Sequence, residues 1–200
     1  MALERRRVER SDILPLADYV KVRKLRKQAL LSLKQRRRVD VGPVATLYFE
    51  CFEMVLHQIQ EMLYIEKGGE EQLLGELEAY NPLIPDGREL VATVMLEIDN
   101  PERRRRILAG LGGIEGSMML TVSGAEIVGV PEKDQDRTTA DGKASSVQFV
   151  HFPFTDHQVA LFCAPGAAVT VGFRHPAYAH SAVLSEATRC ALAADFRAPC

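Results

Sequence analysis

The sequence predicts an α+β fold: a largely antiparallel sheet of about five to seven strands, with helices packed at both ends of the chain. Two observations lead to this prediction. Short alternating segments typical of strands follow one another in runs and hairpins, while segments with apolar residues three and four apart, typical of amphipathic helices, gather towards the termini. Separate runs of strands and helices are typical of the α+β class.

Length and composition set the scale of the fold. The chain has 200 residues, of which 46% are apolar and 26% are charged. This is enough to bury a core without covalent staples, so we predict one α+β domain over residues 1–200. The longest apolar run falls far short of the roughly 20 residues of a membrane span, and the Arg-rich start lacks the features of a signal peptide. We therefore expect a cytoplasmic protein with no membrane contact.

The four cysteines are scattered along the chain. None belongs to a CxxC pair, and no histidines lie near them at zinc-finger spacing, so we predict neither a structural zinc site nor a thiol nucleophile. We expect the cysteines to be reduced and the terminal one to be exposed. They are Cys51, Cys163, Cys190 and Cys200.

The charge is distributed unevenly. Residues 1–38 carry 13 Lys and Arg against 4 Asp and Glu, although the whole chain has a formal charge of -2. A basic arm can bind nucleic acid or an anionic membrane, but here apolar residues interrupt the charges at helical spacing. We therefore predict a basic surface helix over about 16–37, lying on the acidic remainder of the chain, and we do not expect nucleic-acid binding.

The remaining elements follow from apolar periodicity and from turn residues. The lead-in over residues 1–10 is predicted to be frayed, and residues 131–146, which are polar and nearly free of apolar side chains, to form a mobile loop that could act as a lid. Strands are predicted at 38–41, 45–50, 89–98, 117–123, 126–130, 147–154 and 168–173, the first two and the fourth and fifth pairing as hairpins, and helices at 52–67, 70–80, 101–111, 156–163 and 182–196.

The helix over 52–67 is the segment around which the chain is organised. One face carries apolar residues at the spacing of a buried stripe, and the same periodicity places Glu66 within that apolar face. A carboxylate there needs a partner or a proton, because burying it unpaired is costly. The alternative is that Glu66, one turn from Gly68 at the end of the helix, frays into water. The opposite face is a polar stripe of Glu53, His57, Gln60, Glu61 and Tyr64.

The polar stripe supports two interpretations. Glu53, His57 and Glu61 recur every four residues, so neighbouring pairs could share a divalent metal ion. The same spacing fits an ordinary exposed face with Glu–His contacts between successive turns. Ferritin-like sites need a Glu-x-x-His motif on each of two helices, and the predicted helices contain none.

Two further segments contain candidate ligand or pocket residues. Two prolines stiffen the turn over 80–87, where Asn81 and Asp86 can cap backbone groups and Tyr80 can form a pocket wall. His175 and Tyr178 follow the last predicted strand and could form an acid–base pair. Both segments are equally compatible with purely structural roles.

Several enzyme and binding motifs are absent. The glycines over 110–116 fail the dinucleotide pattern, because Glu115 stands where the third glycine belongs and a helix precedes them. No GxSxG elbow is present. Arg103–Arg106 are consecutive and so spread around a helix, which favours solvated charges over a phosphate site.

Five segments carry a resemblance that covers nearly the whole chain: RRVDVGPVATLYFE, HQIQEMLYIE, LEAYNPLIPDG, ATVMLEI and HPAY. In this order and spacing they resemble an uncharacterised bacterial family, domain of unknown function 3501. The resemblance implies a setting near rubrerythrin-like and iron–sulfur oxidoreductases but no activity and no catalytic residues. The matched motif positions are Gln58, Gln60, Glu61, Glu66, Tyr80, Asn81, Pro82, Pro85 and Asp86.

Taken together, these observations favour a non-catalytic accessory or binding protein in a redox or oxidative-stress pathway. Its expected partner is a redox protein or a small ligand. Assembly into a homo-oligomer is also compatible with the sequence. The alternative is a metal-dependent oxidoreductase or hydrolase that uses the Glu/His helix face with a divalent metal as cofactor. The sequence does not decide whether the protein is an enzyme.

Overall fold

The computed structural model describes residues 5–132, 138–139 and 142–197. Within these ranges lie six α-helices and nine strands. The helices are α1 (Leu16–Arg36), α2 (Phe52–Glu66), α3 (Gly69–Tyr80), α4 (Pro101–Ala109), α5 (Asp156–Cys163) and α6 (Glu186–Ala193). The strands are β1 (Arg38–Val41), β2 (Ala45–Phe49), β3 (Glu89–Leu96), β4 (Met118–Val122), β5 (Ala125–Val128), β6 (Val130–Pro131), β7 (Val147–Pro153), β8 (Val169–Phe173) and β9 (Ser181–Val183).

The strands form two antiparallel sheets, which confirms the predicted α+β class. Sheet A has the order β1-β2-β3-β7-β6, and sheet B has the order β5-β4-β8-β9. The two predicted hairpins, β1 with β2 and β4 with β5, are both present. The prediction missed the short strands β6 and β9, which are two and three residues long.

Sheet A separates two apolar cores. Along β3, Leu90, Ala92, Val94 and Leu96 point into a large core shared with sheet B and with the C-terminal helices. Val91, on the opposite face, belongs to a smaller core under α2 and α3. Successive side chains of a strand point to opposite faces, so β3 takes part in both cores.

The predicted final helix began too early. Residues 181–183 form β9, which pairs with β8. Val183 of β9 lies opposite Thr170 of β8. The helix α6 begins only after Ser185, whose side chain accepts a hydrogen bond from the Thr188 backbone N–H. A serine cap of this kind marks a helix start. The residues before Ser185 pair with the edge of β8 instead of extending the helix.

The predicted fraying of the N-terminal lead-in was wrong for the residues that the structure describes. Val8 is fully buried in the smaller core, and Arg10–Asp12 form a 3-10 turn. Burial of Val8 fixes a charged segment that carries little apolar periodicity of its own, which is why the pattern missed it.

Helix α1 is the predicted basic surface helix and ends within one residue of its predicted C-terminus. It packs on α2, where Tyr19 is its one fully buried side chain among the described residues. Most of its remaining surface is exposed. None of the helices in the described ranges is both long enough and apolar enough to span a membrane.

The expectation that the cysteines are reduced was wrong for Cys163, which is disulfide-bonded, whereas Cys51 and Cys190 are free. Cys200 lies outside the described residues.

The predicted mobile loop over 131–146 lies partly outside the described residues. The described residues of this loop form hydrogen bonds with residues outside the loop and with one another. Ala144 is buried, and its N–H donates to the Leu108 carbonyl. The Thr138 hydroxyl donates to Glu115 at 2.8 Å, and Gly142 N–H bonds to the Thr139 carbonyl. Mobility of the segment stays a prediction.

Candidate functional site

A cleft of about 440 Å³ lies between sheet A and the helices α1, α2 and α3. Its floor comes from β2, β3 and β7, and its walls come from α2 and from the end of α3. We call it the sheet A cleft. Its lining residues are Lys34, Tyr48, Glu50, Met54, Val55, Gln58, Tyr80, Leu83, Thr93, Met95, Val147 and Phe149.

Strand alternation explains why these residues meet. Tyr48 and Thr93 face each other across β2 and β3, and every second residue of a strand lies on the same face. Met95 follows Thr93 on that face by the same rule. The cleft floor is therefore the half of the β2–β3 pair that does not enter the large core.

Glu50 is the central polar group of the cleft. The Thr93 hydroxyl donates to its carboxylate at 2.6 Å. Burial raises the pKa of Glu50 above its usual value, although Thr93, Lys34 and Arg37 each oppose that rise. A carboxyl group whose pKa is raised in a cleft is a common mark of a functional site.

The chemistry of the cleft suits a small organic ligand. Most of the lining is apolar or aromatic, and the polar groups are few and convergent, as in pockets that bind small molecules. Glu50 can accept a hydrogen bond when ionised and donate one when protonated. The Lys34 ammonium group adds a positive charge at the same site.

Sequence reasoning found only part of this cleft. Tyr80 was a predicted pocket wall and does line it, as does Gln58 of the matched motif. Glu50, Thr93 and Lys34 were missed. One feature of the sequence could have indicated the cleft. Glu50 is a carboxylate at the end of a β-prone segment, between the apolar residues Phe49 and Cys51.

The predicted polar stripe of α2 is mostly covered by α1. Gln60 is 1% exposed and His57 is 9% exposed. The Tyr19 hydroxyl lies 3.4 Å from His57 Nδ1, and burial lowers the pKa of His57, with nearby Lys34 acting in the same direction. The interpretation of these two positions as part of an exposed face was therefore wrong, because Tyr19 of α1 lies against His57 and the Leu14 backbone lies against Gln60.

Glu61 is held by α1. Arg23 binds both of its carboxylate oxygens, at 2.7 and 2.8 Å, and the Tyr19 hydroxyl donates at 2.6 Å. Chiefly because of the Arg23 hydrogen bonds, the pKa of Glu61 falls to about 2. These contacts tie α1 to α2 and occupy the carboxylate that the metal hypothesis needs.

The metal hypothesis gains no geometric support. Within the described ranges, no group of three or more His, Cys, Asp or Glu side chains is placed to hold a metal ion. Glu53 is exposed on the first turn of α2, whereas His57 is buried under α1. Metal binding by Glu53, His57 and Glu61 stays a prediction, which elemental analysis of the untagged protein and of His57→Ala would test.

Glu66 does not lie in an apolar environment. It is exposed at the end of α2, and Gln72 donates to its carboxylate at 3.0 Å. The helix stops at Lys67, which has a left-handed φ of 56°, so the apolar face ends before this turn. Of the two expectations for Glu66, exposure at the end of the helix is the one observed.

Two predicted site residues anchor the N-terminal segment instead. The Gln60 side chain accepts from Leu14 N–H at 2.9 Å and donates to the Leu14 carbonyl at 3.2 Å. Asn81 makes the same pair of bonds to Val8, at 2.7 and 3.1 Å. Asp86 accepts from the Arg88 N–H at 2.7 Å and so caps its turn.

His175 and Tyr178 each bind backbone groups. The Tyr178 hydroxyl donates to the Val41 carbonyl at 2.7 Å and accepts from the N–H groups of Val44 and Ala45. It thereby closes the turn between β1 and β2. His175 accepts from Ala177 N–H through Nδ1 and lies 3.1 Å from the Gly112 carbonyl through Nε2. The predicted acid–base pair is thus placed in structural contacts.

Comparisons with known proteins agree with this description but add no activity. A family model described as "Protein of unknown function (DUF3501)" matches residues 7–196. A crystal structure of a novel protein of unknown function from Burkholderia pseudomallei is similar, with 36% sequence identity and a TM-score of 0.87. The similarity covers 94% of this chain and 98% of that one. No curated protein matches the chain.

Proposed function

The chain belongs to the DUF3501 family, and from its geometry we propose that it is a non-catalytic protein that binds a small, largely apolar molecule in the sheet A cleft. The observation that carries this proposal is the Glu50–Thr93 hydrogen bond in an otherwise mostly apolar cleft. Its volume of about 440 Å³ falls within the range of roughly 300–1,000 Å³ that small-molecule pockets have.

The contacts of Glu50 suit recognition. The 2.6 Å bond from Thr93 fixes one carboxylate oxygen, and the backbone N–H of Glu50 bonds to the Val91 carbonyl at 2.7 Å. A group positioned by both its backbone and its side chain can orient a ligand with little loss of side-chain entropy. The ligand class is therefore a compact, ring-sized molecule that carries one hydrogen-bonding group.

A ligand-observed NMR screen tests this proposal with phenol, benzyl alcohol and benzamide as probes. We expect at least one of them to bind with a Kd in the millimolar range or tighter. Glu50→Gln and Thr93→Val should weaken that binding by about tenfold, because the first replaces a charge-assisted hydrogen bond by a neutral one and the second removes the bond that positions the Glu50 side chain.

Thr46→Val is the matched control. Thr46 lies on β2, the strand next to β3, and its hydroxyl donates to the Glu97 carboxylate at 2.6 Å. It does not line the cleft. Binding should therefore survive this change. Absence of binding by all three probes, or equal weakening by Thr46→Val, would contradict the proposal.

We extend the proposal to a redox or oxidative-stress pathway on the basis of the family resemblance alone. In this view the bound molecule, or a redox protein partner, links the chain to electron-transfer proteins. Affinity purification of the tagged protein from its own cells tests this extension. Enrichment of oxidoreductases that Glu50→Gln diminishes would support it, and their absence would remove the redox part while leaving the ligand cleft.

A further inference from the structure

A second cavity, of about 780 Å³, lies where the ends of α1 and α6 meet the first turn of α2 and the N-terminal segment. Four arginines line it, Arg5, Arg6, Arg36 and Arg37, and we call it the arginine cavity. The carboxylates in its lining are Glu53 and Asp195. Cationic groups therefore outnumber anionic ones by two in this lining.

Two of the four arginines already have acidic partners. Arg37 binds Asp195 through two hydrogen bonds of 2.5 and 2.9 Å. Arg5 pairs with Asp12, and its guanidinium lies 4.7 Å above the Phe52 ring. These pairs account for one charge each and leave Arg6 and Arg36 for a ligand.

Two of the lining arginines also have donor atoms without partners in the described part of the chain. Arg6 Nη1 donates to the carbonyls of Pro85 and Asp195, both at 2.8 Å. Its Nη2 is buried and has no partner among the described residues, and the same holds for Nε of Arg37. Buried donors without partners carry a free-energy penalty that an anionic ligand would relieve.

Arg36 adds a donor that can move towards a ligand. Its side chain is exposed, and its hydrogen bond to the Ser32 carbonyl is long, at 3.4 Å. Arginine stays charged at all ordinary pH values, and its planar fork matches the oxygens of phosphate and carboxylate groups. Arg6 and Arg36 together therefore supply two positive charges for an oxyanion, against the single negative charge of Glu53 in the same lining.

We infer that the arginine cavity binds a small organic molecule bearing an oxyanion, with a phosphate monoester as the chemical class. The organic part of the ligand would lie against the apolar lining, which includes Leu33, Phe52 and Ile84. This site is separate from the sheet A cleft, because Glu50 lines the cleft whereas Cys51–Glu53 line the cavity. The inference does not depend on the proposed function.

Isothermal titration calorimetry of the full chain tests the inference, with inorganic phosphate and phenyl phosphate as probes and sodium chloride at equal ionic strength as the reference. We expect saturable binding of both phosphates and none of chloride. Phenyl phosphate should bind about tenfold tighter, because its ring buries apolar surface. Equal affinities would overturn the organic part of the inference.

Arginine variants locate the binding. Arg6→Gln and Arg36→Gln should each weaken phenyl phosphate binding by about tenfold, since each removes a charged hydrogen bond. Arg103→Gln, on the exposed surface of α4, is the matched control and should change the affinity less than twofold. Arg36→Gln keeps the test decisive if loss of the Arg6 backbone contacts impairs folding.

Three outcomes would overturn the inference. One is phosphate heat no larger than that of chloride. Another is an affinity that neither Arg6→Gln nor Arg36→Gln changes. The third is equal weakening by Arg103→Gln, which would mean that phosphate responds to the overall charge of the surface.

Discussion

The two faces of sheet A are built from the same strands, yet they differ in composition. On the face towards sheet B, Leu47 and Leu90 are fully buried in a closed apolar core. On the face towards α1 and α2, Glu50, Thr93 and the half-exposed Met95 surround an open cleft. The difference teaches that one strand, β3, can support a closed core with its even-numbered residues and line an open cleft with its odd-numbered ones.

A buried ion pair, Arg37–Asp195, lies at the edge of the large core. Breaking it should lower the free energy of unfolding more than any other change proposed here. Asp195 lies between the buried Leu192 and Phe196 and pairs with Arg37 at 2.5 Å. Removing one partner of a buried ion pair leaves the other charge uncompensated, so Asp195→Ala should lower the free energy of unfolding by about 3–5 kcal/mol. Urea denaturation measures this change.

The double variant Arg37→Met, Asp195→Leu completes the experiment. Replacing both members of a buried pair by apolar residues is often neutral or stabilising, so this variant should recover most of the loss. Continued instability would show that the hydrogen bonds from Arg37 to backbone carbonyls, such as that of Glu50 at 3.1 Å, matter more than the pair.

A pair of truncations on β3 compares the two faces directly. Leu90→Ala should lower the free energy of unfolding by about 2–5 kcal/mol, because it leaves a cavity in the closed core. Met95→Ala, on the cleft face, should cost under about 1 kcal/mol, because Met95 is already 36% exposed and the change only enlarges an open space. Similar losses for both variants would mean that the cleft face also carries stability.

Periodicity predicted the fold class, the main elements and both hairpins, because apolar spacing reports which residues face a core. It did not predict that sheet B would be separate, since strand partners far apart in sequence leave no local signal. The short β9 is an example, because its residues pair with β8 only through tertiary context. Burial of Val8 is another, since it depends on Asn81 some 73 residues away.

The candidate site was less predictable than the fold. The helix-face pattern of α2 singled out Gln60 and Glu61 as candidate site residues. Their observed partners come from Leu14 and from Arg23 of α1, which no local pattern shows. Tyr80 was recognised from its stiff turn. Glu50 was missed because a single carboxylate at a strand end looks like an ordinary surface residue until β3 places Thr93 beside it.

The cleft face should have its own pH dependence. The pKa of Glu50 is raised by burial above the usual 4.5, so above pH 4.5 the folded state holds a proton that the unfolded state releases. Stability therefore falls as the pH rises from 4.5 through the folded pKa. Glu50→Gln should remove this contribution, which has a limiting slope of about 1.4 kcal/mol per pH unit.

Urea unfolding of the wild-type protein and of Glu50→Gln between pH 4 and pH 8 measures the difference. The variant should gain stability relative to wild type as the pH rises and then level off. A constant difference across this range would show that Glu50 does not titrate differently in the folded protein, and the comparison between the faces would lose its electrostatic part.

The contact between α1 and α2 should respond to pH with the opposite sign. The pKa of Glu61 is lowered, mainly by Arg23, to about 2 from the usual 4.5, so its contribution is present above pH 4.5 and is lost as the pH falls through about 2. Tyr19→Phe removes one hydrogen bond of 2.6 Å to Glu61 and should cost about 1 kcal/mol at neutral pH.

Tyr64→Phe is the control for that change. The Tyr64 ring meets the Tyr19 ring edge-on at 6.1 Å, but in the described part of the chain Glu61 accepts its side-chain bonds from Tyr19 and Arg23. Urea unfolding followed from pH 7 down to about pH 2 should show a loss for Tyr19→Phe that shrinks as the pH reaches the folded pKa of Glu61, and a loss for Tyr64→Phe that does not. Lowering the pH weakens the contribution of Glu61 to stability and strengthens that of Glu50. The opposite signs therefore distinguish the α1–α2 contact from the cleft in a single pH series.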